Sequence, residues 1–216
     1  TGRSGDTAYA QNAAAIYVEK GDHVTIRECE LEGNGNGLFV ASASTDVLVE
    51  GNSLHGNGNA GSIYEHNSYT EALGITFQWN RYGPLLADAG GSPLALGNNL
   101  KDRSAGTVVR WNWIEGGNRA LDLVDAEDSA ALVADPSYRV TRVYGNVLLE
   151  VDDGLNSQVV HFGGDSGIVA GYRPELHFWS NTVVSTRSGN TTLVRLSDPG
   201  QTARIWNNAI HATAGS

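Results

Sequence analysis

The stretch Val109-Arg110-Trp111-Asn112-Trp113-Ile114 decides how this chain folds. It sets an apolar residue three positions before an Asn and another two positions after it. The same frame returns as Val49…Asn52…Leu54, Phe77…Asn80…Tyr82, Val143…Asn146…Leu148, Phe178…Asn181…Val183 and Ile205…Asn208…Ile210. A seventh copy, Ile26…Cys29…Leu31, has Cys in place of Asn. Successive copies are 23, 28, 32, 34, 35 and 27 residues apart. A constant frame with elastic spacing belongs to a solenoid, in which an insertion lengthens one turn and leaves the stack intact.

A Gly/Asn-rich turn and a second alternating strand separate successive copies, as in Leu38-Phe39-Val40, Leu121-Asp122-Leu123 and Val160-His161-Phe162, and Ile16-Tyr17-Val18 precedes the first. Two coils align without a gap, Gly37 to Asn52 on Gly97 to Asn112, and that match predicts a strand at Asn98–Asp102. Antiparallel hairpins would give shorter, more regular spacing. Three short strands per coil, stacked about 4.8 Å apart, give three parallel sheets. The expected fold is all-β: a right-handed parallel β-helix of about seven coils with an internal Asn ladder. Stacked amides bond the turns above and below, satisfying groups that would cost about 1–3 kcal/mol each if buried unpaired. Cys29 is expected as a small buried filler capping that ladder. The chain reads as a single domain over residues 1–216, with a Pro/Gly-rich insertion at 83–96 expected to wall or cover a groove.

Composition narrows the partners. Net charge is −10 and the pI about 4.9, a poor match for nucleic acid, which needs a clustered basic surface. No apolar run reaches the roughly 18 residues of a membrane span. One Cys cannot form an internal disulfide, and no Met stands at position 1, which suggests processing or a piece of a longer chain. No amphipathic helix covers either end, so end-to-end stacking with other chains is an open expectation.

The ladder and the three-strand coil resemble the pectate-lyase-like superfamily of parallel β-helix proteins, over residues 14–210. The resemblance implies a secreted or cell-surface protein acting on a polysaccharide or oligosaccharide, as lyase or hydrolase, with its groove along the second alternating strand. The same solenoid also serves non-catalytic adhesins and spikes.

Period-2 alternation lists the outward side chains of that strand. One column reads Tyr17, Phe39, Tyr64, Asn99, Asp122, His161, Arg195, and the next contains His66, Lys101 and Ser197. Lys101 and Arg103 alternate on one face. A lyase on a uronate polymer needs a base for the proton beside the carboxylate and a cation for the charge that develops. Lys101 is the expected base, Arg103 the neutralising group, and His66 or Tyr69 the acid. Asp122 and His161 complete the catalytic candidates. Tyr64, Asn99, Arg119, Asp125 and Arg195 are the expected substrate contacts, with Trp179 and Trp206 as a stacking platform on the Asn-preceding sheet. Lys101-Asp102-Arg103-Ser104 followed by Asn112 also resembles the chondroitinase B and alginate lyase family over residues 97–126. That family carries Leu-Arg-His-Gly in the next coil, where this chain has Leu123-Val124-Asp125-Ala126.

Facing carboxylates such as Asp122 offer a hydrolase alternative, and the acidic turns could equally hold Ca²⁺. No His pair has helical metal-ligand spacing, so no metal site is expected.

Overall fold

The computed structural model describes residues 13–213. Each coil contributes one strand to each of three parallel faces, and seven coils stack. The first face comprises Ala14–Val18, the start of Asn36–Glu50, the start of Ser68–Gln78, Leu100–Asp102, Leu121–Leu123, Gln158–Phe162 and Thr192–Leu196. The second comprises Asp22–Arg27, the ends of those two long strands, Ala105–Arg110, Val140–Tyr144, Glu175–Trp179 and Thr202–Trp206. The third runs from Glu30–Glu32 to Ala209–Ala212. Every pairing between these strands is parallel.

The corner between the second and third faces follows from one residue per coil. The residue before each ladder position has positive φ: Glu28 56°, Gly51 66°, Trp79 59°, Trp111 58°, Gly145 68°, Ser180 53° and Asn207 56°. One left-handed residue turns the chain without a loop, and the next side chain then points inward. Asn52, Asn80, Asn112, Asn146 and Asn181 are buried there. From Asn80 onward each Oδ1 accepts the backbone N–H and the side-chain amide of the Asn one coil earlier, as Asn112 does from Asn80 at 3.0 Å in both cases. Cys29 is half-buried rather than buried, at the first rung among the described residues; its N–H donates to Asn52 Oδ1 at 3.0 Å.

A second ladder stands at the corner between the third and first faces. Asn57 donates to Asn67 Oδ1 (2.8 Å), and Asn67 to Asn99 Oδ1 (2.7 Å). Asn99 then donates to the carbonyl of Glu115 at 2.8 Å. Gly37 lies against this ladder, where a Cβ would sit 2.6 Å from the Asn67 carbonyl oxygen. Between the two corners the core is a set of stacked columns, among them Val49, Phe77, Val109, Val143 and Phe178.

The gapless match between coils holds on the second face and slips by two residues on the first. Val49 pairs with Phe77 and Phe77 with Val109, as aligned, but Leu38 pairs with Ser68 and Ser68 with Leu100. A bulge between Val40 and Ser44 absorbs the difference. The strand therefore spans Leu100–Asp102 instead of Asn98–Asp102. A two-residue slip preserves alternation, so Lys101 still points outward, but the column changes membership. It reads Tyr17, Phe39, Tyr69, Lys101, Asp122, His161, Arg195.

Candidate functional site

Lys101 and Arg103 flank Asp102, whose side chain points inward and is fully buried. Asp102 Oδ2 accepts from Arg173 Nη2 at 2.8 Å and from Thr107 Oγ1 at 2.6 Å. Arg173, itself buried, also donates to the carbonyls of Val124 and Asp102. This internal pair pins the short strand to the segment that follows Gly163. The Lys101–Arg103 stretch is thus no solvated turn with local ion pairs.

Both outward cations reach carboxylates from later coils. Lys101 Nζ donates to Asp122 Oδ2 at 2.9 Å and to Asp165 Oδ2 at 2.6 Å. Arg103 Nη2 donates to Asp165 Oδ1 at 2.9 Å and to Glu127 Oε1 at 2.8 Å. Its Nη1 meets the Asp125 carbonyl at 2.6 Å, and its Nε–H donates to the Tyr69 hydroxyl at 2.8 Å. Asp165 therefore spans Lys101 and Arg103 with its two oxygens. Its side chain stays 35% exposed while those of the two cations are below 10%. The turn that carries it is glycine-rich, with φ of 123° at Gly163 and 82° at Gly167.

These groups open onto a cavity of about 310 Å³. Tyr64 and Ile63 form one wall, Asn118 and Arg119 another, and His66, Tyr69, Asn98, Glu127 and Asp165 line the rest with the two cations and Asp122. Burial pushes His66 down to about 3, helped by the charge of Lys101. The backbone N–H of Asn98 donates to His66 Nδ1 at 2.9 Å, so the neutral ring carries its proton on Nε2. Burial pushes the Tyr69 phenol up to about 12, although Arg103 opposes the shift. Burial would raise Asp122, but the hydrogen bond from His161 and the charge of Lys101 outweigh it and hold the carboxylate far below its usual range. Asp165 is lowered in the same way: the Lys101 charge overcomes partial burial. Glu127 is raised, by desolvation first and then by Asp165 against the opposing Arg103.

Several expected site residues converge here: Lys101, Arg103, His66, Tyr69, Asp122, Tyr64 and Arg119 all line the cavity. Others do not. Asn99 is fully buried in the second ladder and faces inward. Asp125 lies beneath the site, where its Oδ1 accepts the Asp165 N–H at 2.9 Å and its Oδ2 bonds Ser166 Oγ. His161 is covered, bonded through Nδ1 to Asp122 at 2.7 Å. Arg195 is exposed beside His161, outside the cavity. Trp179 and Trp206 belong to the second face and stack on each other, centroids 5.0 Å apart and planes at 2°. With Tyr144 stacked on the other face of Trp179, they form a spine along the solenoid, and Trp206 remains 45% exposed. The 83–96 insertion lies behind the Tyr64 wall, where Gly61 N–H donates to the Leu94 carbonyl at 2.9 Å.

Asp165, Glu127 and Asn98 were missed as site residues. Asn98 Nδ2 donates to Asp122 Oδ2 at 2.7 Å. In the sequence, Asp165 stands in the outward column that also holds Arg103, just after Gly163-Gly164. Among the described residues, one His/carboxylate group has metal-like spacing, Glu30, Glu32 and His55, on the third face away from this cavity. No helix among the described residues is long and apolar enough to cross a membrane.

A family model described as a right handed beta helix region matches residues 5–126, more than half of the chain. No curated protein and no solved structure matches it.

Proposed function

The chain belongs to the right-handed β-helix family, and on that premise we propose that it is a carbohydrate-active enzyme cleaving a uronate-bearing polysaccharide by β-elimination. The observation that carries this reading is the Asp165 carboxylate, held between Lys101 and Arg103 on the exposed side of the cavity. It occupies the position a uronate carboxylate would take. Paired with both cations, that carboxylate loses its charge repulsion against the electrons released when the neighbouring C–H breaks. Arg suits the task because its fork matches a carboxylate.

Lys101 fits charge neutralisation better than the role of base. Its ammonium already donates to two carboxylates, Asp122 and Asp165, and sits between them as a fixed cation. Proton exchange falls to Tyr69. Arg103 donates to the phenol oxygen and supports its anion, which removes the proton beside the carboxylate; the phenol so formed returns a proton to the departing glycosidic oxygen. His66, neutral with its proton on Nε2, adds a donor to the sugar. Such a substrate puts the protein in the secreted fraction or at the cell surface.

Glu127 and Asp165 support a second reading. Arg103 Nη2 bonds both, and their surroundings push one up and the other down. Carboxylates separated in this way suit the acid and base of a glycoside hydrolase. The test is incubation with a panel of uronate polymers. Elimination creates a C=C conjugated to the carboxylate and a new ultraviolet absorbance, which Tyr69→Phe and Arg103→Lys abolish. Reducing ends without that absorbance mean hydrolysis, and neither signal means a non-catalytic solenoid.

A further inference from the structure

One cluster on the first face is left unused by this chemistry. Asp122 Oδ1 bonds His161 Nδ1 at 2.7 Å, and His161 Nε2 bonds Ser197 Oγ at 2.7 Å. Asp122 is an anion with its other oxygen taken by Lys101 and Asn98, so the imidazole proton lies on Nδ1 and the Nε2 lone pair faces the hydroxyl. The Ser197 oxygen has one other neighbour, the Phe162 carbonyl, at the longer distance of 3.3 Å. Asp122 and His161 are buried, whereas Ser197, just beyond the strand Thr192–Leu196, is half-buried. Neither His161 nor Ser197 lines the cavity described above.

The backbone next to Ser197 supplies a second, independent feature. The N–H groups of Ser197 and Asp198 converge on a single oxygen, Gln201 Oε1, at 2.7 and 3.0 Å. Two backbone donors aimed at one carbonyl oxygen make the arrangement that stabilises a tetrahedral oxyanion. Gln201 is held there by its own amide, which donates to the Arg173 carbonyl at 3.0 Å, and it packs where any Cβ on Gly163 would collide with it.

We propose that Asp122, His161 and Ser197 form an acyl-transfer triad that hydrolyses a carboxylic ester, with Gln201 filling the oxyanion site at rest. The Ser197 proton passes to His161 Nε2 as Oγ bonds the carbonyl carbon, and the carbonyl π pair moves onto oxygen beside the two N–H groups. The intermediate collapses, the ester C–O bond breaks, and the alkoxide leaves with the proton from Nε2. Water, deprotonated by His161, then attacks the acyl group, releasing the acid and restoring Ser197. The substrate carbonyl displaces the Gln201 amide oxygen. Asp122 and His161 share a column with Lys101, one and two coils away, and Ser197 lies on the coil after His161. The natural ester is therefore an O-acyl substituent of the polysaccharide, a point that rests on the function proposed above; the triad itself does not.

The test treats the whole protein with a fluorophosphonate and maps the adduct, and follows p-nitrophenyl acetate hydrolysis in parallel. The adduct is expected on Ser197, and Ser197→Ala and His161→Asn are expected to cut hydrolysis by about 100-fold or more. Gln201→Ala, with the oxyanion site cleared, is expected to label several times faster than wild type. Tyr69→Phe should label normally while losing uronide formation, which separates the two proposals. No adduct on Ser197 in either wild type or Gln201→Ala, both folded by circular dichroism, would overturn the triad. So would unchanged hydrolysis in Ser197→Ala.

Discussion

Asp165→Ala separates the two catalytic readings of the cavity. Removing the carboxylate vacates the span between Lys101 and Arg103 and leaves the turn anchored, because the backbone N–H of residue 165 still donates to Asp125 Oδ1. A substrate carboxylate must displace Asp165 in the wild type. The displaced contacts are two charge-assisted hydrogen bonds, each worth about 1.5–3 kcal/mol when buried. Asp165 is about a third exposed, so solvent screening reduces the pair to about 1–2 kcal/mol. Without that competitor, binding of a uronate oligomer should tighten by about 5- to 30-fold. Isothermal titration gives Kd and the absorbance assay gives kcat. Elimination predicts a lower Kd and KM with kcat retained. Hydrolysis with Asp165 as base predicts the reverse, a kcat that collapses with binding little changed. Unchanged or weaker uronate binding would refute the idea that Asp165 stands in for the substrate.

Other outcomes are as specific. The Tyr69 phenol sits near 12, so its basic form is scarce at neutrality and kcat/KM should rise with pH about tenfold per unit between pH 7 and 9; a flat profile would exclude Tyr69 as base. Asn112→Ala takes the acceptor from the Asn80 N–H and the side-chain donor from the Phe77 carbonyl, while Asn146 Oδ1 keeps the backbone N–H of residue 112, and should lower urea-unfolding stability by about 3 kcal/mol. The same change at half-exposed Asn208 should cost about 1 kcal/mol, and equal losses would count against the ladder as a source of stability. Glu28 is exposed and left-handed at φ 56°, so Glu28→Gly should raise stability by up to about 1 kcal/mol. Burial, together with Asp128, raises Glu71 to about 7. A carboxyl raised by folding gives stability that is present below about pH 4.5 and lost as pH rises through 7. Glu71→Gln should flatten the fall in stability measured from pH 5 to pH 8.

The repeat frame around the ladder Asn was legible because the physics is local. An inward amide (Cys29 in the first copy) two residues before an inward apolar residue is spelled out in each coil, and seven copies identify the corner. The second ladder was not legible, because Asn57, Asn67 and Asn99 follow no common frame; their spacing depends on turn lengths that differ between coils. The same variation placed Asn99 in a groove column when it belongs to the interior. Lys101 and Arg103 could be read as neighbours on one face, since alternation survives a two-residue slip. Asp122 could be read on the coil next to Lys101, and Asp165 in the column of Arg103, but not the bridge that Asp165 makes to both cations. Asp165 lies 64 residues from Lys101 and reaches it only because two later coils return to the same face. Trp179 and Trp206 were correctly assigned to consecutive coils, but sequence does not report ring orientation, and Trp179 is stacked on both faces, by Tyr144 and Trp206.

A structure of the full chain with a bound oligouronate decides whether the cavity takes the substrate. A uronate carboxylate is expected between Lys101 Nζ and the Arg103 guanidinium, with Asp165 swung out on its glycine-flanked turn and the adjacent sugar carbon facing the Tyr69 oxygen. Oligosaccharide bound on another face, or in the cavity with Asp165 still spanning Lys101 and Arg103, would contradict that placement.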